Sequence, residues 1–174
     1  ALSPYMTLPH ASVLTKLIQE QQPQIVLMGA TPVGRDLAPR VASSLGCGLT
    51  ADCTSLQIGD HYDKRKKQEY KNILYQIRPA FGGSIIATII SPDHRPQMAT
   101  VREGVMKQEV YDLQYTGERK DIPVDEILGK EEQVIKILDR HIEKSKVNIK
   151  NSQIIIAGGY GVGSPENFDK LYEL

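Results

Sequence analysis

Three arginines crowd one short stretch, IRPAFGGSIIATIISPDHRPQMATVR, from Ile77 to Arg102. Arg78 and Arg95 each precede a proline, and Arg102 follows closely. A proline biases the residue before it toward extended backbone, so two of the guanidiniums are placed by stiffened main chain. Gly82 and Gly83 lie between them, where the missing Cβ lets another molecule approach the backbone. A guanidinium held in this way presents a fork of donors and a flat stacking face. That chemistry suits an anionic or electron-rich planar ring, such as a flavin or a nucleotide base. The plain alternative is structural: loop arginines commonly pair with carboxylates, here Asp52, Asp93 or Glu103.

Two glycine-bearing turns raise the same question. GATPVGRD has the two-glycine spacing of a phosphate loop after a strand. That loop needs Lys and then Ser or Thr after its second glycine, where this chain has Arg35 and Asp36. A carboxylate beside a phosphate cradle is repulsive, so the segment reads as a tight strand-to-helix turn whose charges pair with neighbours. GGYGVGSPENF places glycines between a strand and a helix start, as in a dinucleotide turn. An ordinary βα turn explains it equally well on these residues alone.

Other chemistries are poorly served. The four histidines make no i, i+4 pair and no cluster with cysteine, which argues against metal ligation. Cys47 and Cys53 are not spaced as a zinc site or a disulfide framework. They read as reduced thiols in a cytoplasmic setting, with Cys53 a small core residue. Lys plus Arg and Asp plus Glu number 21 each, which does not favour a nucleic-acid partner. No apolar run approaches the length of a membrane span, and the opening residues lack the basic and apolar regions of a signal peptide.

The elements that must position these residues alternate. Ala11–Gln21 reads as an amphipathic helix capped by Ser12 and ended at Pro23. Gln24–Ala30 has the continuous apolar run of a strand buried on both faces. A helix over Arg35–Leu45 ends at GCG, and Thr50–Ile58 is the next strand. Gly59–Lys71 reads as a solvated hairpin tip. Ile73–Ile77 and a buried Ser84–Ile90 are strands joined across RPAFGG, and Ala99–Met106 is extended. Val134–Ile142 fits a helical face by spacing and a strand by β-branching. Ile154–Ala157 reads as a buried strand, followed by a helix opened by Ser164, Pro165 and Glu166. The expected class is α/β: an open, largely parallel twisted sheet with flanking helices, of the adenine-nucleotide-hydrolase-like kind, with added antiparallel strands.

Taken in order, GATPVGRDLAPRVASSLGCGLTADCTSL, RPAFGGSIIATI, RPQMATVR and IIIAGGYGVGSPENF closely resemble the electron transfer flavoprotein alpha subunit. The resemblance runs from about Gln24 to Leu174 and is weakest over Gln108–Lys150. It implies an amino-terminal domain over 1–150, without its first strands, and the start of an FAD-binding domain over 151–174. It implies a heterodimer with a beta subunit that carries electrons between flavin dehydrogenases, such as an acyl-CoA dehydrogenase, and other redox partners. Such a protein is an electron carrier and not an enzyme in its own right. The cofactor would be FAD, held by the full heterodimer and not tightly by these residues alone. The implied cofactor-contacting residues are Arg78, Gly82 and Gly83 near a flavin on the beta subunit, and Gly159 and Gly161 in the FAD-binding turn. Tyr160 departs from the family, which usually has Arg there. The RPQMATVR block resembles that of anaerobic bacterial members, which favours a flavin-bifurcating, NADH-dependent system. The matching family segment makes Val134–Ile142 an expected strand. The rival readings are a stand-alone nucleotide-binding module of the universal-stress type and an NAD-type dehydrogenase. The first needs a complete phosphate loop and the second needs a further nucleotide domain.

Overall fold

The computed structural model describes residues 2–109, 112–129, 134–141, 149 and 152–173. The chain divides into two units, 1–136 and 137–174.

The first unit opens with helix α1, Thr7–Gln21. It starts one turn before the expected Ala11, and its N-cap is Met6, not Ser12. Pro9 marks this start: proline lacks an N–H and is tolerated in the first turn, where no intrahelical acceptor is available. Gln22 ends the helix with φ 45° and donates its N–H to the Ile18 carbonyl at 2.8 Å. Strand β1, Ile25–Gly29, leads to helix α2, Pro32–Leu45. Thr31 caps α2 by accepting the Gly34 N–H at 3.1 Å, with Pro32 at the first helical position. The stretch read as a turn is therefore already the helix start. Gly46, φ 65°, closes α2, and Cys47 donates back to the Ala42 carbonyl at 3.0 Å.

Strands β2, Leu49–Cys53, and β3, Ser55–Asp63, replace the single expected strand over Thr50–Ile58. Asp52 adopts φ 62°, and the β2–β6 register shifts there. This left-handed step, which Asp tolerates better than most residues, bends the chain out of one sheet and into another. β3 pairs antiparallel with β4, Gln68–Ala80, which pairs with β5, Ile85–Ile89. The hairpin tip between β3 and β4 is only Lys64–Lys67, narrower than the expected Gly59–Lys71. β6, Gln97–Val101, lies between β1 and β2 with both pairings parallel. The result is a parallel sheet, β1-β6-β2, beside an antiparallel sheet, β3-β4-β5. The α/β class with added antiparallel strands is what the sequence predicts.

Helices α1 and α2 pack together over the parallel sheet. Ala11, Ile18, Leu37, Val41, Ala42 and Met98 form the buried cluster, flanked by Tyr5, Leu14, Val26, Met28, Leu45, Cys47 and Leu49. Gln97, Met98, Ala99 and Thr100 of central β6 are all buried. β1 is an edge strand with Leu27 51% exposed, so it is not buried on both faces. β5 also lies at an edge, and the expected burial of Ser84–Ile90 is wrong: Ile85 and Ile86 are exposed. A hydrogen bond ties the sheets together. The buried Gln97 Oε1 accepts the Leu74 N–H at 2.9 Å, where pairing of β5 along β4 has already stopped at Gln76. A short helix, α3, covers Val124–Ile127.

Residues 134–141 are neither strand nor helix, and Ile142 lies outside the described residues. In the second unit Ile154–Ile156 are exposed and form no strand, contrary to expectation. No second sheet strand is described in this unit to bury them. Tyr160–Val162 and Pro165–Phe168 are 3-10 turns, and a one-turn helix, α4, covers Asp169–Tyr172. The Ser-Pro-Glu helix signal is thus met by a tighter turn running into a short helix.

Candidate functional site

The three arginines have different fates. Arg102 clasps Asp52 with two bonds, Nε to Oδ1 at 3.1 Å and Nη2 to Oδ2 at 2.7 Å. Arg35 joins them, with Nη2 at 3.2 Å from Asp52 Oδ1 and Nε donating to the Ala30 carbonyl at 2.9 Å. The Arg102 side chain holds the Asp52 carboxyl below its usual range by hydrogen bonding, and the charges of Arg102, Arg35 and Arg78 act the same way against partial burial. Arg95 serves its own loop. Its Nη1 donates to the His94 and Pro92 carbonyls at 2.9 and 3.1 Å, and its Nε to Gln24 Oε1 at 2.9 Å. For Arg102 the structural reading holds, with Asp52 as its carboxylate; Arg95 is also structural, but through carbonyls and Gln24 and not through a carboxylate.

Arg78 is different. Among the described residues it forms no ion pair, and its one bond is a long contact from Nε to its neighbour's carbonyl, Pro79, at 3.5 Å. It lies on β4 opposite Ala87, three residues before the hairpin turn Phe81–Gly83 that closes β4 onto β5. That turn is built from left-handed residues: Phe81 φ 49°, Gly82 φ 68° and Gly83 φ 93°. A Cβ at either glycine would meet no atom within 4 Å. Their need is conformational, and the backbone there stays bare. Phe81 is 83% exposed and Ile86 72%. Arg78, Gly82 and Gly83 thus share one end of the β4–β5 hairpin, with an unburied aromatic ring that sequence reasoning did not single out, while the charge of Arg78 is felt at Asp52 and Cys53. Its signal was a phenylalanine before two glycines, which reads equally as core.

The GATPVGRD turn has no room for a phosphate. A Cβ on Gly34 would lie 1.9 Å from the Gly29 carbonyl oxygen, so this glycine serves the close approach of α2 to β1. Asp36 accepts from the Tyr5 and Thr7 hydroxyls, each at 2.5 Å, which lower its pKa, the Thr7 bond more. Both charges of the motif are paired with neighbours, as expected.

The second glycine turn is more open. Gly159, Tyr160, Gly163, Ser164, Pro165 and Phe168 line a cleft of about 340 Å³. Gly159 and Gly161 both leave the space beside their Cα free, though only Gly159 borders the cleft. Gly158 is packed instead: a Cβ would meet Leu171 and Phe168 side chains at 2.6 and 2.7 Å. Asn167 Nδ2 donates to the Val162 carbonyl at 2.9 Å and ties the two 3-10 turns together.

Cys53 is fully buried, and burial pushes both thiols above their usual range. Neither suits nucleophilic chemistry, which needs a thiolate. Among the described residues no group of His, Cys, Asp or Glu could hold a metal, and no helix is long and apolar enough to cross a membrane.

Comparison with known proteins decides the family. The sequence profile of the electron transfer flavoprotein domain matches residues 1–127. The chain belongs to the electron transfer flavoprotein domain family. It is 44% identical to the electron transfer flavoprotein subunit alpha of Thermoanaerobacterium thermosaccharolyticum, over 99% of this chain and 49% of the relative. It is 40% identical to the subunit of the same name from Megasphaera elsdenii, over 96% of this chain and 46% of the relative. Protein FixB of Clostridium saccharobutylicum is 45% identical, over 99% and 48%. The chain spans about half the length of these relatives. The alignments run through both units, including the stretch after 127 that the domain profile leaves out.

Proposed function

We propose that this chain supplies part of an electron transfer flavoprotein alpha subunit, pairing with a beta subunit and carrying electrons between flavin dehydrogenases and other redox partners. The relatives' names support the subunit assignment. The observation that carries the site is the Arg78 corner. Arg78, without an ion-pair partner among the described residues, lies on the strand that leads into two bare glycines and an exposed ring. We place this corner against a flavin of the beta subunit, in an assembly of the bifurcating kind. There FAD would supply the electron chemistry. Arg78 would hold positive charge near the ring, and positive charge favours the reduced, more anionic form. Gly82 and Gly83 would let the ring edge approach the backbone, and Phe81 would exclude water.

In the second unit Gly159 and Gly161 fit one edge of an FAD pyrophosphate site, since both keep the backbone approachable. The described turn covers only part of such a ligand, and tight binding needs most of a ligand's surface buried. Residues 1–150 would then form the amino-terminal domain and 151–174 the opening of the FAD-binding domain, in a cytoplasmic carrier.

The test is Arg78→Ala in the full heterodimer, with Arg95→Ala as control, each followed by redox titration and thermal melting. Arg78→Ala should shift a flavin potential downward and leave stability within about 0.5 kcal/mol, as for a surface change. Arg95→Ala should loosen its loop and leave the potentials alone. Unchanged potentials with equal stability loss in both variants would return Arg78 to a structural role.

A further inference from the structure

The cluster around Asp52 lies at a telling place. Ala30 follows β1, Asp52 belongs to the end of β2, and Arg102 follows β6. These are the carboxyl ends of all three parallel strands, the edge at which open α/β sheets receive ligands. Two guanidiniums converge there; that of Arg35 has an anchor apart from the carboxylate, and the strand end that carries Arg102 is held by its backbone. Arg35 is anchored by its Nε on the Ala30 carbonyl, and the Arg102 main chain by its N–H on the Cys53 carbonyl at 2.9 Å. What they grip is delivered by an unusual backbone. Asp52 turns to φ 62°, donates its N–H to the Thr100 hydroxyl at 2.8 Å, and breaks the β2–β6 register. Its side chain is only 16% exposed, against 58% for Arg35 and 44% for Arg102. Arginine forks bind carboxylate and phosphate by the same paired geometry.

We propose that Arg35 and Arg102 form an oxyanion site that Asp52 fills from within. The carboxylate occupies the place of a phosphate, so this edge of the sheet is closed to phosphate-bearing ligands. The inference does not depend on the Arg78 corner or on any flavin.

Asp52→Asn tests it, because asparagine keeps the shape and tolerates a left-handed backbone while removing the charge. The probes are inorganic phosphate and AMP, titrated calorimetrically into the full chain at an ionic strength held constant with chloride. Asp52→Asn should bind phosphate at least about tenfold more tightly than the wild type, a difference of about 1.4 kcal/mol. Asp52→Asn/Arg102→Gln should fall back to the wild-type value. A gain shared by AMP would show room for a nucleotide, and a gain with phosphate alone would show a site for the free ion. Asp52→Ser is a second variant held to the same outcomes. The proposal is overturned if neither probe binds the uncharged variants better than the wild type, or if the gain survives loss of Arg102.

Discussion

The parallel and antiparallel sheets of residues 1–136 treat similar sequences in opposite ways. Met98-Ala99-Thr100 in β6 and Ile85-Ile86-Ala87 in β5 are both short, small-to-branched, uncharged runs. The first is sealed between two strands and under two helices, while the second lies at an edge with its isoleucines in the open. The arginines follow the same division. At the end of the parallel sheet two of them are spent on Asp52, while Arg78 in the antiparallel sheet has no ion-pair partner among the described residues. Burial is therefore set by what lies next to a strand, and the sheet left less covered holds the residues proposed to meet a cofactor.

Substitutions can break this contrast. The largest effect should come from Gly34→Ala, because a methyl group 1.9 Å from the Gly29 carbonyl forces α2 off β1. Loss of more than about 3 kcal/mol is expected, read from the denaturant midpoint. Met98→Ala should cost about 2–5 kcal/mol by leaving a cavity in the buried cluster, by the same measurement. Gln97→Ala should cost about 1–3 kcal/mol, since it strands the Leu74 N–H without its acceptor, and it should loosen the antiparallel sheet more than the parallel one. Acid should act through Asp52. Its folded pKa lies below the usual value, so its contribution is complete above the unfolded pKa of about 3.9. That contribution is lost as pH falls through the lower, folded value. Melting curves of wild type and Asp52→Asn should therefore begin to approach each other as pH falls below about 4 and meet only below the depressed folded value of Asp52. The smallest effect is expected for Phe81→Ser, within about 0.5 kcal/mol, because the ring is already exposed; a larger loss in melting would mean that the antiparallel sheet leans on it.

Much of the fold was legible before the structure. A continuous apolar run marked β1 and GCG marked the end of α2, while the extended piece expected over Ala99–Met106 is strand only as far as Val101, in β6, which starts earlier at Gln97. Sequence cannot say which strand is central: β1 reads as doubly buried because its residues are apolar, yet its place is an edge. The bend at Asp52 was invisible because nothing in TADCTSL signals a left-handed residue except an aspartate in a strand. Of the candidate site, Arg78, Gly82 and Gly83 were singled out by type and spacing. The Arg35–Asp52–Arg102 cluster was only half seen, because its members are far apart in sequence and meet through a parallel crossover. Over 134–141 two periodicities compete and neither wins. Ile154–Ile156 look like a core strand because they are branched and apolar, and a strand needs neighbours that the described residues do not provide.

The Gln97–Leu74 bond has a consequence for motion. The Leu74 amide is held by a side chain from the other sheet and not by its own ribbon. Its hydrogen can exchange with solvent only when the two sheets part or Gln97 swings away. Local fraying of the β3–β4 hairpin would leave it protected while neighbouring amides exchange. One proton thus reports on whether the two halves of this unit open separately or as one cooperative body.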